Sequence, residues 1–315
     1  MPKVSVVVAT YKRKEALQKA IESICAQSYS DVEILVVDDN ANDEWNNVAE
    51  EIAKKFDNRV VYIRNERNLG SAQTRNRGIE AATGKYVTFL DDDDEYLPQK
   101  IEKQVGFMEE NQLDFSVTDL GLYYEDGSLC ERRSRSYLKD AMYEQLLPLH
   151  LIHHIAGTDT MMFRTEYLRA FGGFGTVDMG DEFYLMAKAI EQGGRFGYLP
   201  ECDIRAVVHT KGEGLSIGQT KIEGEHQVYS FVRSYFQLFS AKEKRYVKMR
   251  HHAVLAFAYW RQKQLIRFFL SGVHSVLCSP VACLKLLKNN KKQPAIEQPI
   301  VMAGTEEKQE SFAQA

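Results

Sequence analysis

Two hydrophobic periodicities take turns over the first hundred residues, and their alternation restricts the chain to few folds. Short runs of β-branched and aromatic residues at 4–9, 34–37, 60–63 and 86–90 read as strands that are apolar on both faces. Between them, residues 15–27 place Ala16, Leu17, Ala20, Ile21 and Ile24 on one helical face. Residues 45–56 space Val48, Ile52 and Phe56 four apart, and 71–82 read as a third helix. Strands buried on both faces and alternating with helices predict a mostly parallel sheet with helices on either side, an α/β architecture. Further on the pattern loosens. Residues 115–118, 121–124 and 160–163 are short strand candidates, with a turn at 125–128. A loop carrying Gly172, Gly173 and Gly175 leads to a helix over 182–192 that stops at Gly193 and Gly194. Residues 225–270 read as helical, and from 289 the chain is polar without periodicity, so disorder is expected there.

Ligands of an open parallel sheet bind beyond the carboxyl ends of its strands. The residues found there are Thr10, Tyr11, Lys12 and Arg13 after the first strand, then Asp38, Asp39 and Asn40 after the second. Arg64 and Asn65 follow the third, and the run Asp91, Asp92, Asp93, Asp94 follows the fourth. Four adjacent carboxylates repel one another unless a cation sits among them. The first βα turn, ATYKRKEA, has no glycine, and no GxxxxGK[ST] loop occurs, so neither a dinucleotide nor a P-loop nucleotide is expected. An EF-hand is excluded because Tyr96 occupies the position that needs glycine. Carboxylates holding Mg²⁺ or Mn²⁺ are the remaining means of neutralising a bound phosphate.

Four segments in order, VSVVVATYKR, EILVVDDNAND, NLGSAQTRNRGIEAATGKYVTFLDDDDEYLP and GGF…GDEFYLMAKAIEQGG, resemble the family 2 glycosyltransferases. The resemblance covers about residues 3–212 and implies the GT-A fold, a nucleotide-sugar donor with UDP the expected carrier, a divalent metal, and inversion by direct displacement. By position it implies a nucleotide pocket lined by Thr10, Tyr11 and Arg13. Asp39 would face the base with Asp38 beside it, and Arg75 would stand at the donor site. Asp91, Asp92 and Asp93 resemble the DxD motif: Asp93 would ligate the metal, Asp91 and Asp92 would support the donor, and Asp94 would only cap the adjoining segment. His209 resembles a histidine placed near the metal. The general base falls on Asp181 or Glu182. Their order inverts the family's, so residue type favours Asp181, to which the reading leans, while the spacing to Lys188 favours Glu182.

The resemblance divides the chain into a catalytic domain over 1–220, with a nucleotide-binding half to 110 and an acceptor half beyond it. A helical extension over 221–288 and a polar tail complete the chain. Residues 242–292 hold twelve Lys and Arg against a single Glu, between two acidic segments. With the apolar stretch 268–287 they suggest an interfacial contact with anionic membrane rather than a transmembrane helix, and no nucleic-acid module accompanies them. Five cysteines without CxxC spacing are expected as free thiols of a reducing, cytoplasmic compartment, at the inner face of the plasma membrane. The function expected is transfer of a sugar to a saccharide or lipid-linked saccharide in cell-surface polysaccharide or glycoconjugate synthesis. The alternative is a GT-A-like module that binds nucleotide without transfer; a nucleotidyltransferase is disfavoured by the missing glycines.

Overall fold

The side chains of strand β1 (Val4–Thr10) explain why its sequence is apolar without a break. Val4, Val6 and Val8 point to one face of the sheet and join Leu17, Ile21 and Ile24 of α1 (Glu15–Cys25). Val7 points to the other face, into a second core. Strand β2 (Val32–Asp38) repeats the division, with Ile34 and Val36 on the first face and Leu35 and Val37 on the second. A computed structural model describes residues 1–41, 44–56, 59–177, 179–209 and 218–289. The tail expected to be disordered lies outside the described residues from 290 on.

After β2 come α2 (Glu44–Lys54), β3 (Val60–Arg64), α3 (Ser71–Ala81) and β4 (Tyr86–Phe89), each within two residues of its expected bounds. Then come β5 (Glu95–Tyr96), α4 (Lys100–Glu110), β6 (Phe115–Thr118), β7 (Leu120–Tyr124), β8 (Leu129–Arg133) and α5 (Tyr143–His153). The catalytic half closes with β9 (Met161–Arg164), α6 (Thr165–Ala170), α7 (Asp181–Glu191), β10 (Phe196–Leu199) and β11 (Ile204–Val208). The main sheet has the order β10-β6-β9-β4-β1-β2-β3, in which only β9 runs antiparallel to its neighbours. A smaller sheet, β5-β11-β7-β8, stands beside it. The α/β architecture with helices on both faces is the one expected. Helix α4 was not expected. Ile101, Val105 and Met108 keep helical spacing, but the buried Lys100 and Gln104 interrupt the apolar stripe. Lys100 donates to Thr88 Oγ1 at 2.7 Å, and the Gln104 amide nitrogen to Ser116 Oγ and the Thr160 carbonyl, so the donors of both side chains find partners on the sheet.

The helical extension holds, among the described residues, four helices: α8 (Gly218–Ser234), α9 (Ala241–Arg261), α10 (Leu265–Cys278) and α11 (Pro280–Asn289), of which the last three carry the basic block. The first two are fused to the catalytic half. Leu151 and Ile152 of α5 and Phe183 of α7 share one core with Val228, Val232, Phe239 and Val247. Among the described residues, no helix is long and apolar enough to cross a membrane. All five cysteines are free.

Space, more than conformation, constrains Gly78 of α3, which lies against the central strand: a Cβ there would stand 2.3 Å from Val7 Cγ1. Gly106 of α4 has nothing within 4 Å of such an atom. Gly78→Ala is therefore expected to destabilise the fold by about 1–3 kcal/mol. Gly106→Ala should stabilise it by roughly 0.5–1 kcal/mol. Denaturant titration checks both, and equal effects at the two positions would contradict this packing.

Candidate active site

Register places the candidate residues at one edge. Thr10 lies opposite Asp38 across β1 and β2, and Asp38 opposite Arg64 across β2 and β3. Asp38 is fully buried; it accepts from the Asn40 amide N–H at 2.9 Å and from the Tyr62 hydroxyl. Asp39 is also buried. Its carboxylate accepts from Asn65 Nδ2 at 2.8 Å, Leu69 N–H at 2.7 Å and Gly70 N–H at 3.0 Å. It thus ties the loop before α3 to the sheet, at a helix N-terminus where negative charge is favoured. Gly70, at φ +79°, makes the turn that presents its amide.

The four aspartates are not equivalent. Asp92 accepts from Thr10 Oγ1 at 2.7 Å and from the Tyr11 amide at 3.1 Å. Burial, then the charge of Asp93, pushes its pKa up to about 6. Asp93 accepts from Arg13 Nη2 at 2.8 Å and lies 2.9 Å from His209 Nε2. His209 Nδ1 in turn lies 3.1 Å from Glu125 Oε1. Burial opposes charge on that imidazole, but its bonds to Asp93 and Glu125 hold its pKa above the ordinary value. Asp91 is bound to Arg75 Nη2 at 2.6 Å, and its amide donates to Asp159 Oδ1 at 2.8 Å. Asp94 does more than cap a turn: it accepts from the Val207 amide at 2.7 Å and so fixes the strand that delivers His209.

Two places could hold a cation. Asp91, Asp94 and Asp159 bring ligand atoms within 4.8 Å of one another. There, however, Arg75 already pairs with Asp91, and burial, then the charge of Asp159, raises the pKa of the Asp94 carboxyl. Asp93, itself paired with Arg13, and His209 converge a carboxylate oxygen and an imidazole nitrogen at an edge more exposed than the first site. One carboxylate and one imidazole, with coordination positions left for phosphate oxygens, fit Mn²⁺ better than Mg²⁺, which prefers oxygen ligands alone.

Arg75 joins this edge to the acidic pair at the start of α7. Its Nη1 lies 2.5 Å from Asp181 Oδ2, which also accepts from Ser71 Oγ at 3.1 Å. The guanidinium is buried, its charged form favoured by Asp181 and Asp91 against the cost of burial, and it lies 5.6 Å from the Phe174 ring centroid. Gly180, at φ +73°, turns the chain so that both acids enter the helix together. Glu182 makes no contact with Arg75 as close as that of Asp181. Burial, then the charge of Asp181, pushes its pKa up to about 7. Asp159, Glu125 and Ser71 were not singled out by sequence. Ser71 lies within the third resembling segment without a role of its own there, Asp159 and Glu125 lie outside the four segments, and only the packing brings all three to the site.

A model of the family described as glycosyl transferase family 2 matches residues 5–172, from β1 through α6. An uncharacterized glycosyltransferase of Methanocaldococcus jannaschii is 36% identical over 174 residues, covering 53% of this chain and 58% of that protein. The Escherichia coli UDP-Glc:alpha-D-GlcNAc-diphosphoundecaprenol beta-1,3-glucosyltransferase WfaP is 34% identical over 119 residues, 38% of this chain and 46% of that one. The chain thus spans about half the length of the curated relatives it matches. The crystal structure of Staphylococcus aureus TarS with UDP-GlcNAc superposes with a TM-score of 0.58 at 18% identity, covering 86% of this chain and 90% of that one. It shares the fold expected from the resemblance. With the model spanning more than half of the residues and every strand that builds this edge up to β9, the chain belongs to glycosyl transferase family 2.

Proposed function

We propose that this chain transfers a sugar, with inversion, from a UDP-sugar to a hydroxyl of a lipid-linked saccharide. The carrying observation is the Arg75 bridge, which sets the acidic run after β4 and the acidic start of α7 on either side of one guanidinium. A displacement reaction needs that pairing of a site for the leaving diphosphate with a base on the opposite side of the sugar. Tyr11 is 48% exposed and offers a ring to the nucleotide base, and Thr10, Arg13 and Asp92 frame the ribose and diphosphate. Asp38 and Asp39 act from behind, holding the pocket wall through Asn40, Asn65 and the 69–70 amides. Asp93 and His209 are the residues that would hold a divalent cation. Bound there, it would stabilise charge developing on the leaving diphosphate. UDP and a diphosphoundecaprenol-linked acceptor are what the name of the similar WfaP protein states.

Of the two acids at α7, Glu182 is the base in this reading. Asp181 is held by Arg75 and Ser71 and serves to position the helix start. Glu182 has its pKa near neutrality, where a general base is most effective.

UDP release from UDP-sugars, measured with lipid-linked saccharide acceptors and Mn²⁺, tests the reading. Glu182→Gln should lower kcat by roughly 10²–10⁴-fold while UDP binding persists. Because the base acts ionised and its pKa is raised, the rate should fall as pH drops through about 7. Full activity in Glu182→Gln would refute the assignment, whatever Asp181→Asn does. UDP binding that persists beside absent transfer, with every acceptor tried, would favour the nucleotide-binding module.

Calorimetry tests the cation site separately. Asp93→Asn and His209→Ala should each weaken UDP binding when Mn²⁺ is present, yet change it little in chelator. An unchanged Mn²⁺ dependence in both variants would move the cation elsewhere.

A further inference from the structure

Helix α10 is packed inside out. It turns Ser271 and Ser275 into the protein, where Ser275 Oγ donates to the Met249 carbonyl of α9 at 2.9 Å. On the opposite side, Ile266, Phe269, Leu270, Val273 and Leu277 fall at i, i+3, i+4, i+7 and i+11 and form one stripe. That stripe is open to solvent: Ile266 is 78% exposed, Leu277 72% and Phe269 65%. Val281 and Leu284 continue it on α11, and Trp260 at the end of α9 borders it, its ring 5.1 Å from that of Phe268. A helix selected for water would bury the aromatics and expose the serines. A continuous apolar face of this extent marks an interaction surface.

We propose that this face lies on an anionic phospholipid bilayer, with α10 parallel to the membrane plane. Length excludes crossing: fourteen residues rise about 21 Å, short of the roughly 30 Å hydrocarbon layer. Charge selects the lipid. Arg261, Lys263 and Arg267 border the stripe on one side in sequence, and residues 242–292 hold twelve basic residues against one acidic. An apolar face flanked in sequence by cations fits the headgroup boundary of an anionic leaflet. The same charge opposes a second copy as the occupant, because a two-fold contact would set basic surface against basic surface. Trp260 belongs at the headgroup level, where its ring is partly apolar and partly wet. The contact would hold the enzyme beside a lipid-linked acceptor, but it does not depend on the transfer reading and is tested without any substrate.

The full chain carrying Trp45→Phe keeps Trp260 as its single tryptophan. Vesicles of phosphatidylcholine with an anionic phospholipid should blue-shift its emission and carry the protein upward in flotation. Phosphatidylcholine alone, or high salt, should weaken binding on the order of tenfold. Phe269→Glu with Leu277→Glu, both at exposed positions, should abolish flotation while the circular dichroism spectrum stays native. A folded double variant that binds vesicles as well as the parent overturns the proposal. So does a parent that ignores anionic vesicles but forms a dimer that the double variant loses.

Discussion

The guanidinium of Arg75 is buried between Asp91, at the end of β4, and Asp181, at the start of α7, and each of the three needs the others. A guanidinium taken out of water is costly unless it is paired, and so is a carboxylate. Here one cation satisfies two anions that come from segments ninety residues apart in sequence. Asp159 and Asp94 extend the cluster, where burial, then the charge of Asp159, raises the Asp94 pKa. Arg75 offsets part of the negative charge at this edge by pairing with both Asp91 and Asp181.

Around that fixed centre the remaining side chains divide between those that hold and those left open. Asp39, Asp38 and Asp94 are spent on backbone amides and neighbouring side chains of the site's own loops and strands. Asp93, His209 and Tyr11 are at least partly exposed, and Glu182 is half-buried with its pKa near neutrality. The division has a physical basis, because groups that contact substrate need water or ligand access while groups that shape the pocket need rigid partners. The helical extension supports the same point. Val228 of α8 packs 3.6 Å from where a Cβ would stand on Gly180, so α8 helps hold the turn that launches Asp181 and Glu182.

Much of the first hundred residues is legible because β1, β2, β3 and β4 are nearly uniform in polarity and α1 and α3 keep one period. The later half is harder to read. Strand β5 is a two-residue edge element, and α4 hides Lys100 and Gln104 in its buried face because Thr88, Ser116 and the Thr160 carbonyl accept from them. Sequence placed Asp91 to Asp93 beside the donor but gave Asp94 only a cap. It could not anticipate Asp159, whose partner is an amide reached only through the β4–β9 pairing. The pair Asp181 and Glu182 stayed ambiguous for a related reason, since residue type and spacing disagree and neither records which acid Arg75 has taken.

Sequence alone determined the fold class, the edge of the sheet at which chemistry collects and the acidic run that marks it, because periodicity and strand ends are local properties. Only the tertiary structure decided which carboxylates are used up internally and which remain open. It also showed that α10 turns its apolar stripe outward. Both depend on which groups meet across distant segments, and on where a buried charge or serine finds its partner.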